Sequence, residues 1–316
     1  MGQRVASLLP SATEIVCAVG AQDDLVGISH ECDFPESVRH LPALTRARLR
    51  PVRSSSREID REVRSILQEA LAVYEIELAR LAEARPDVIV TQDLCDVCAV
   101  SFSDVCAATA ALVQQQIRIV NLHPTRLDDI WADVGRVAEA LGRERRGAEV
   151  VSDLQARTSR IRSRSSAHPK KPRVVSIEWL DPVMLGGMWM PELIEQAGGV
   201  PLVTRPSDHA PTLSKETLLA LEPDVVLIKP CGFPLERTLD ELDVLRAALP
   251  WDSWREAKGR VYVADGNAYF NRPGPRIVES LEILAGCVHP EAFADFRHKH
   301  REAVVRLDPD VKPTCF

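Results

Sequence analysis

One segment of the chain occurs twice. LARLAEARPDVIVTQ, residues 78–92, is echoed by KETLLALEPDVVLIK, residues 215–229, and the shared Pro-Asp pairs lie 137 residues apart from Pro86 to Pro223. Each copy predicts a short amphipathic helix, a turn at Pro-Asp, and an apolar β-branched run of the kind buried in a parallel sheet. A repeat that long is a domain, not a solenoid or propeller unit. A second echo agrees. RVASLLP from Arg4 and RVVSIEW from Arg173 each read as a strand feeding a helix, and those helices, from Ser11 and Pro191, run to Gly20 and to Gly198-Gly199. Glycine there suits the left-handed residue that follows a helix end. Two similar Rossmann-like α/β lobes are expected, with ligand in the cleft they form.

Lobe one is expected over residues 1–125, a helical linker over 126–169 and lobe two over 170–316. In lobe one, strands are expected at Val5 to Leu9 and Leu25 to Ser29. A helix opens at Ser11 with a Ser11/Glu14 capping box, a polar stretch covers Arg46 to Arg57, a helix runs from about Ile59 to Ala72, and a strand spans Ile117 to Leu122. Thr125 is expected to cap a helix whose apolar stripe is Leu127, Ile130, Trp131, Val134, Val137, Ala138 and Leu141. The charged segment Arg143 to Arg164 reads as one long helix joining the lobes. Lobe two adds a strand at Arg260 to Ala264 and a helix from Pro275 to Val288.

With 316 residues, 45% apolar and 27% charged, the chain has material for two cores. A net charge of −7 excludes nucleic acid as the main partner, since a phosphate backbone demands a basic face. No apolar run approaches a membrane span, so membrane insertion is not expected. MGQRVASLLPSATEI enters a strand without a signal-peptide core, which sets the expectation of a cytosolic protein. In that compartment the eight cysteines would be reduced, and each is read as core residue, ligand or nucleophile before disulfide.

Ligands of parallel α/β sheets meet the carboxyl ends of strands. Those ends carry soft thiols, Cys32, Cys95, Cys98 and Cys231, with His30 beside them; Cys17, Cys106 and Cys287 sit instead on apolar helix faces. Three or four thiolates with an imidazole could hold zinc or an iron–sulfur cluster, whereas reduced thiols filling loop corners are the plainer alternative. The same ends carry flat rings: Tyr74, Trp179, Trp189, Phe233, Tyr269 and Phe270. Rings on loops suit a large planar ligand, because they bury area at little entropy cost. No carboxylate pair stands out by spacing, and there is neither a Gly-x-Ser-x-Gly elbow nor a phosphate loop. A binding protein is therefore favoured over an enzyme, and no catalytic residue is assigned.

RVASLLPSATEIVCAVG, LVGISHECDFP, TQDLCDVCAVS and DGNAYFNRPGPRIVESLEILA together resemble cobalamin-binding proteins of the vitamin B12 and iron-siderophore substrate-binding superfamily, in a branch that often lacks export signals. The resemblance implies the class III substrate-binding-protein fold, two lobes on a backbone helix. It further implies a corrinoid held between the lobes by Phe34, Tyr74, Trp179, Trp189 and Tyr269, and an ABC permease as partner of the exported members. Segment 186–190 has methionine where this branch would be expected to carry histidine, which leaves His30 as the imidazole nearest the expected cleft. Three functions stand side by side: a cytosolic corrinoid carrier; a metal-thiolate protein or enzyme using Cys32, Cys95 and Cys98; and a permease-linked receptor whose export signal is missing from this sequence.

Overall fold

The structure, a computed structural model, describes residues 2–48, 54–68, 74–93, 102–111, 117–250, 253–254, 260–307 and 314–315. Its contacts divide the chain into two compact units, Met1–Ser54 with Glu58–Asp153, and Ser55–Arg57 with Leu154–Phe316.

In chain order the first elements are β1 (Val5–Ser7), α1 (Pro10–Ala18), β2 (Leu25–Gly27), β3 (Thr45–Ala47), α2 (Ser56–Gln68), β4 (Tyr74–Ile76), α3 (Leu78–Ala84), β5 (Val88–Gln92), α4 (Phe102–Ala111), β6 (Arg118–Leu122), α5 (Leu127–Ala140) and α6 (Glu144–Ser166). The first unit is built on a parallel sheet of order β2-β1-β5-β6, with β3 and β4 paired antiparallel outside it. Every residue of β1 and β5 is buried, as both-face coverage of a parallel sheet requires. The polar stretch expected from Arg46 thus contributes one half of a two-stranded ribbon, and Tyr74 opens the other half.

The second unit continues with β7 (Arg173–Leu180), β8 (Val183–Leu185), α7 (Met190–Gln196), β9 (Val200–Pro201), α8 (Lys215–Leu219), β10 (Val225–Ile228), α9 (Leu235–Asp240), α10 (Leu242–Ala248), β11 (Arg260–Ala264), α11 (Ile277–Val288), α12 (Ala294–Lys299), β12 (Val304–Leu307) and β13 (Thr314–Cys315). Its sheet runs β13-β12-β11-β10-β7-β8, with β9 also on β7. The strands β7, β10 and β11 at its centre are parallel, while β8, β12 and β13 join antiparallel. These flanking strands are short and left no alternation in the sequence.

The repeated Pro-Asp has the same structural task in both units. Arg4 N–H donates to Asp87 Oδ2 at 2.9 Å and Asp87 N–H returns a bond to Arg4 O at 2.8 Å, while Arg118 N–H donates to Asp87 O at 2.9 Å. In the second unit Arg173 N–H donates to Asp224 Oδ2 at 2.8 Å, Asp224 N–H to Arg173 O at 2.8 Å, and Arg260 N–H to Asp224 O at 3.0 Å. One aspartate therefore sets the starting register of three adjacent strands, β1-β5-β6 in one case and β7-β10-β11 in the other. The Arg173 N–H bond holds the Asp224 carboxyl below its ordinary value. The internal duplication extends to the arginine that opens the third strand.

Helix ends differ in part from expectation. Gly20 and Gly198 do hold left-handed φ values of 77° and 82°. The Ser11/Glu14 box does not form, because the helix starts one residue earlier: Leu9 is the N-cap and Pro10 occupies the first turn, where its missing N–H costs nothing. At α5 the cap is Arg126 rather than Thr125, and the carboxylate of Asp129 reaches back to accept from Thr125 N, Thr125 Oγ1 and Arg126 N, each at 2.9 Å.

The helix expected over Arg143 to Arg164 is α6, continuous for 23 residues, and the contact boundary falls inside it between Asp153 and Leu154. Its first half packs in the first unit, where Gly147 lies so close to α5 that a Cβ would stand 2.3 Å from that of Ala138. Its second half is tied to the second unit by Arg157, which donates to Glu279 at 2.8 Å and Glu282 at 2.9 Å, and by Arg164 on Asp295. Among the described residues no helix is long and apolar enough to cross a membrane.

Asp133 on α5 is fully buried, with Arg136 on one carboxylate oxygen and no partner on the other. Burial pushes its carboxyl up to about 6, against the pull of Arg136. The folded state then binds the extra proton between pH 4 and 6, so this group's contribution to stability falls as pH rises through that window. Asp133→Asn should flatten that slope and raise stability at pH 7 by about 1–3 kcal/mol, read by urea denaturation across pH. A variant less stable at pH 7 would show that the Arg136 pair outweighs the burial cost.

Candidate ligand-binding residues

In the first unit the loop after β2 carries the most organised polar cluster. Leu44 N–H donates to Ile28 O at 2.7 Å and Ile28 N–H to Pro42 O at 3.0 Å, which pins the loop to the segment entering β3. Thr45 of β3 then meets it: the hydroxyl donates to Ser29 Oγ at 2.9 Å and stands 2.8 Å from His30 Nδ1. The His30 ring meets Tyr74 of β4 edge-on at 4.9 Å between centroids. The ribbon thus brings together His30 and Tyr74, which are far apart in sequence. Phe34, on the same loop, is 44% exposed.

Around the neighbouring strand ends, buried oxygens lack hydrogen-bond partners: Ser11 Oγ at the start of α1, Thr91 Oγ1 and Gln92 Oε1 at the end of β5, and Asn121 Oδ1 near the end of β6. Cys32 is buried, its sulfur 3.0 Å from Thr13 Oγ1. That places it as a hydrogen-bonded core thiol. Cys95 and Cys98 lie outside the described residues.

In the second unit Trp179, the next-to-last residue of β7, packs edge-on against Phe233 at 5.3 Å, and the Arg237 guanidinium covers the Phe233 ring at 5.0 Å. The indole nitrogen of Trp179 is buried and has no partner. Tyr269 follows β11, with Arg276 over its ring at 5.5 Å and His300 edge-on at 6.2 Å. Trp189 is placed differently: it is buried, and its indole N–H donates to Phe270 O at 2.8 Å. Its ring holds the turn behind Tyr269 and is filled on its polar side, so it is a support for that loop instead of a ligand surface. Phe270 is likewise fully buried.

A buried charge that the sequence reading passed over underlies these rings. Lys229, the residue after β10, is fully buried; its ammonium donates to Glu178 Oε2 at 3.1 Å and to Asn271 Oδ1 at 2.9 Å. Asn271 Nδ2 donates in turn to Gly266 O at 2.8 Å and Lys229 O at 3.2 Å. Gly266 approaches so closely that a Cβ there would sit 2.0 Å from Pro230 O. The β10 end and the Asp265–Arg272 loop are thereby fixed as one piece. The visible signal was a lysine ending a run of four apolar residues.

The thiols divide by environment. Cys231 N–H donates to Glu178 O at 3.0 Å, a backbone contact, and the Cys231 side chain is half-buried. Burial, with Glu14 adding, pushes Cys17 up to about 11, and burial raises Cys287 further; both are protonated core groups at neutral pH. Among the described residues no group of three or more His, Cys, Asp or Glu side chains is close enough to hold a metal ion.

The pattern of the family described as periplasmic binding protein matches residues 5–256, and the chain belongs to that family. A curated relative, the uncharacterized ABC transporter substrate-binding lipoprotein YvrC of Bacillus subtilis (strain 168), is 20% identical over 302 residues, 93% of this chain and 82% of its own length. Among solved structures, a periplasmic heme binding protein from Pseudomonas aeruginosa superimposes with a TM-score of 0.67 at 18% identity over 99% of this chain and 95% of that one. The heme-binding protein RhuT from Roseiflexus sp. RS-1 gives 0.66 at 20% identity over 94% and 99%. The vitamin B12 binding protein BtuF of Vibrio cholerae gives 0.62 at 19% identity over 94% and 98%. These likenesses bear on the fold, which is the α/β arrangement of parallel sheets and helices that the duplicated segments predict.

Proposed function

We propose that the chain is the substrate-binding component of an ABC-type importer and that its ligand is a planar metal macrocycle, a corrinoid. The carrying observation is that rings cluster about the loops that follow parallel strands in each unit: Phe34 on the loop after β2, with Tyr74 of the antiparallel ribbon against His30 of that loop, in the first, and Trp179 at the end of β7 with Tyr269 after β11 in the second. Trp179 adds a buried N–H with no partner, a donor suited to the amide or carboxylate rim of such a ligand. Membership of the binding-protein family, and the likeness in fold to a B12-binding and a heme-binding protein, support the same class. The permease partner is inferred from the transporter role given to the Bacillus subtilis relative. The metal-thiolate alternative loses support because Cys32 is engaged by Thr13 and Cys231 meets Glu178 only through its backbone.

Calorimetric titration with aquocobalamin, cyanocobalamin and ferric heme tests this reading. One saturable site for the cobalamins is expected, and Trp179→Ala should weaken it by about 1–3 kcal/mol if the ring is a central anchor. Saturation by heme alone would move the ligand to the porphyrins. Heat from none of the three would reject the class. Fractionation of the source cells separates an envelope-bound, permease-coupled carrier from the cytosolic carrier expected from the first residues.

A further inference from the structure

At the carboxyl end of the first unit's sheet stands an ion pair that nothing above explains. β5 and β6 run parallel with Gln92 beside Leu122, so the residues that follow them, Asp93 and His123, are neighbours. Asp93 N–H donates to Leu122 O at 3.3 Å, and the His123 ring meets the Asp93 carboxylate through Nδ1 at 2.6 Å. The Asn121 side chain bonds the same carboxylate. The pair is open to solvent, the His123 side chain being 57% exposed and that of Asp93 38%. An ion pair so exposed adds little to stability, and the backbone bonds of β5 and β6 already join the two strand ends. Its position, beyond the carboxyl ends of parallel strands, is where ligands of such sheets are met.

A carboxylate only accepts, so Nδ1 carries a proton in either charge state of the ring, and Nε2 is the nitrogen left to offer. It presents a lone pair in the neutral ring and an N–H in the imidazolium. A primary amide, with both N–H and C=O, satisfies either form. A carboxylate satisfies the imidazolium alone, and it brings a second negative charge towards Asp93. The strand order β2-β1-β5-β6 sets the ends of β2 and β6 about 14 Å apart, three strand spacings, with the loop carrying Phe34 at one edge and His123 at the other. A ring lodged at the first edge reaches the second with its side arms. We infer that His123 Nε2 hydrogen-bonds a primary amide on the rim of the bound macrocycle, with Asp93 as its positioning residue, and so favours an amide-rimmed corrinoid over a carboxylate-rimmed porphyrin. The inference rests on the ligand class proposed above and adds the contact that discriminates within it.

The test titrates the full chain with cyanocobalamin, and with ferric heme for comparison, by quenching of tryptophan fluorescence. His123→Phe should weaken cyanocobalamin binding by about 3- to 10-fold and should not weaken heme. His123→Gln keeps a donor and an acceptor and should recover part of the loss. Cyanocobalamin derivatives with one propionamide hydrolysed to a carboxylate identify the partner: for one of them, hydrolysis and His123→Phe should be non-additive. Nitrogen NMR of the imidazole should show Nδ1 protonated and Nε2 shifting when cyanocobalamin is added. In Asp93→Asn the Nδ1 proton should be shared between the two nitrogens and the affinity lower, a redistribution that a merely structural role would not produce. Equal cyanocobalamin affinity in wild type and His123→Phe, or additive effects for every derivative, would overturn the contact while leaving the corrinoid reading intact. An equal loss for cyanocobalamin and heme would overturn the amide preference. Absence of quenching by cyanocobalamin in the wild type would overturn both the contact and the corrinoid.

Discussion

Glu282→Ala is expected to destabilise the second unit by about 3–5 kcal/mol, because it strips a buried carboxylate from several cations at once. Glu282 on α11 is buried and accepts from His300 Nε2 at 2.8 Å, Lys299 Nζ at 2.6 Å and Arg157 at 2.9 Å. Burial alone would raise its carboxyl, yet the bonds from His300, Lys299 and Arg157 outweigh it and hold the group at about 2. Removing the carboxylate leaves the buried His300 ring without its acceptor and the partly buried Arg157 with Glu279 but not Glu282. Arg157 belongs to α6, so the second half of that helix would lose one of the two Arg157 bonds to α11 and keep the one to Glu279. Urea denaturation followed by tryptophan emission reads this directly, since four of the five tryptophans follow residue 154 and only Trp131 precedes it.

The pH dependence has a definite sign. Glu282 is depressed from an ordinary value of 4.5, so its stabilisation is complete above that pH and is lost as pH falls from 4.5 towards 2. The full amount is about 3 kcal/mol. Wild-type second-unit stability should therefore drop across that window, and the alanine variant should drop less. Parallel slopes in the two proteins would mean that the cluster is not ionised as the geometry implies.

The parts of this fold that could be read from sequence are those where one residue type serves one local purpose. Pro-Asp before a β-branched run marked β5 and β10, since proline stops the preceding helix and aspartate closes the strand start on Arg4 or Arg173. The charged run after Gly142 gave α6 because nothing in it interrupts a helix. Other elements gave no such signal. The β3-β4 ribbon is three residues per strand, too short for alternation to register, and it is this ribbon that seats His30 between Thr45 and Tyr74. Trp189 and Trp179 are equivalent as loop tryptophans in the sequence. Only the fold shows that one indole N–H is satisfied by Phe270 O while the other is not. Cys32 reads as a candidate ligand from its position after a strand, and the contact of its sulfur with Thr13, 19 residues earlier, has no mark in the sequence.

Lys229→Met should carry the second large effect, on stability and on ligand affinity together. A methionine matches the volume of the lysine stem, so the apolar packing around it is nearly kept. The ammonium is lost, and with it the bonds to Glu178 and Asn271. Glu178 retains some water, its side chain being 24% exposed, which places the expected cost at about 2–4 kcal/mol, below that of stranding a fully buried charge. Asn271 would still donate to Gly266 O and to the backbone oxygen of residue 229 but would lose the donor on its own oxygen, so the Asp265–Arg272 loop loses one of its ties to the β10 end. That loop presents Tyr269, and the strand carrying Glu178 presents Trp179 in the next position. Affinity for the macrocycle should therefore fall even though Lys229, fully buried, has no exposed surface to offer a ligand. Glu178→Gln in the same chain removes the carboxylate left without its cation and should return part of the stability without restoring affinity, because the ammonium tie to Asn271 is still missing. Recovery of both would show that the lysine acts only by neutralising Glu178, and an unchanged affinity in the single variant would show that the loop holds its shape without the lysine.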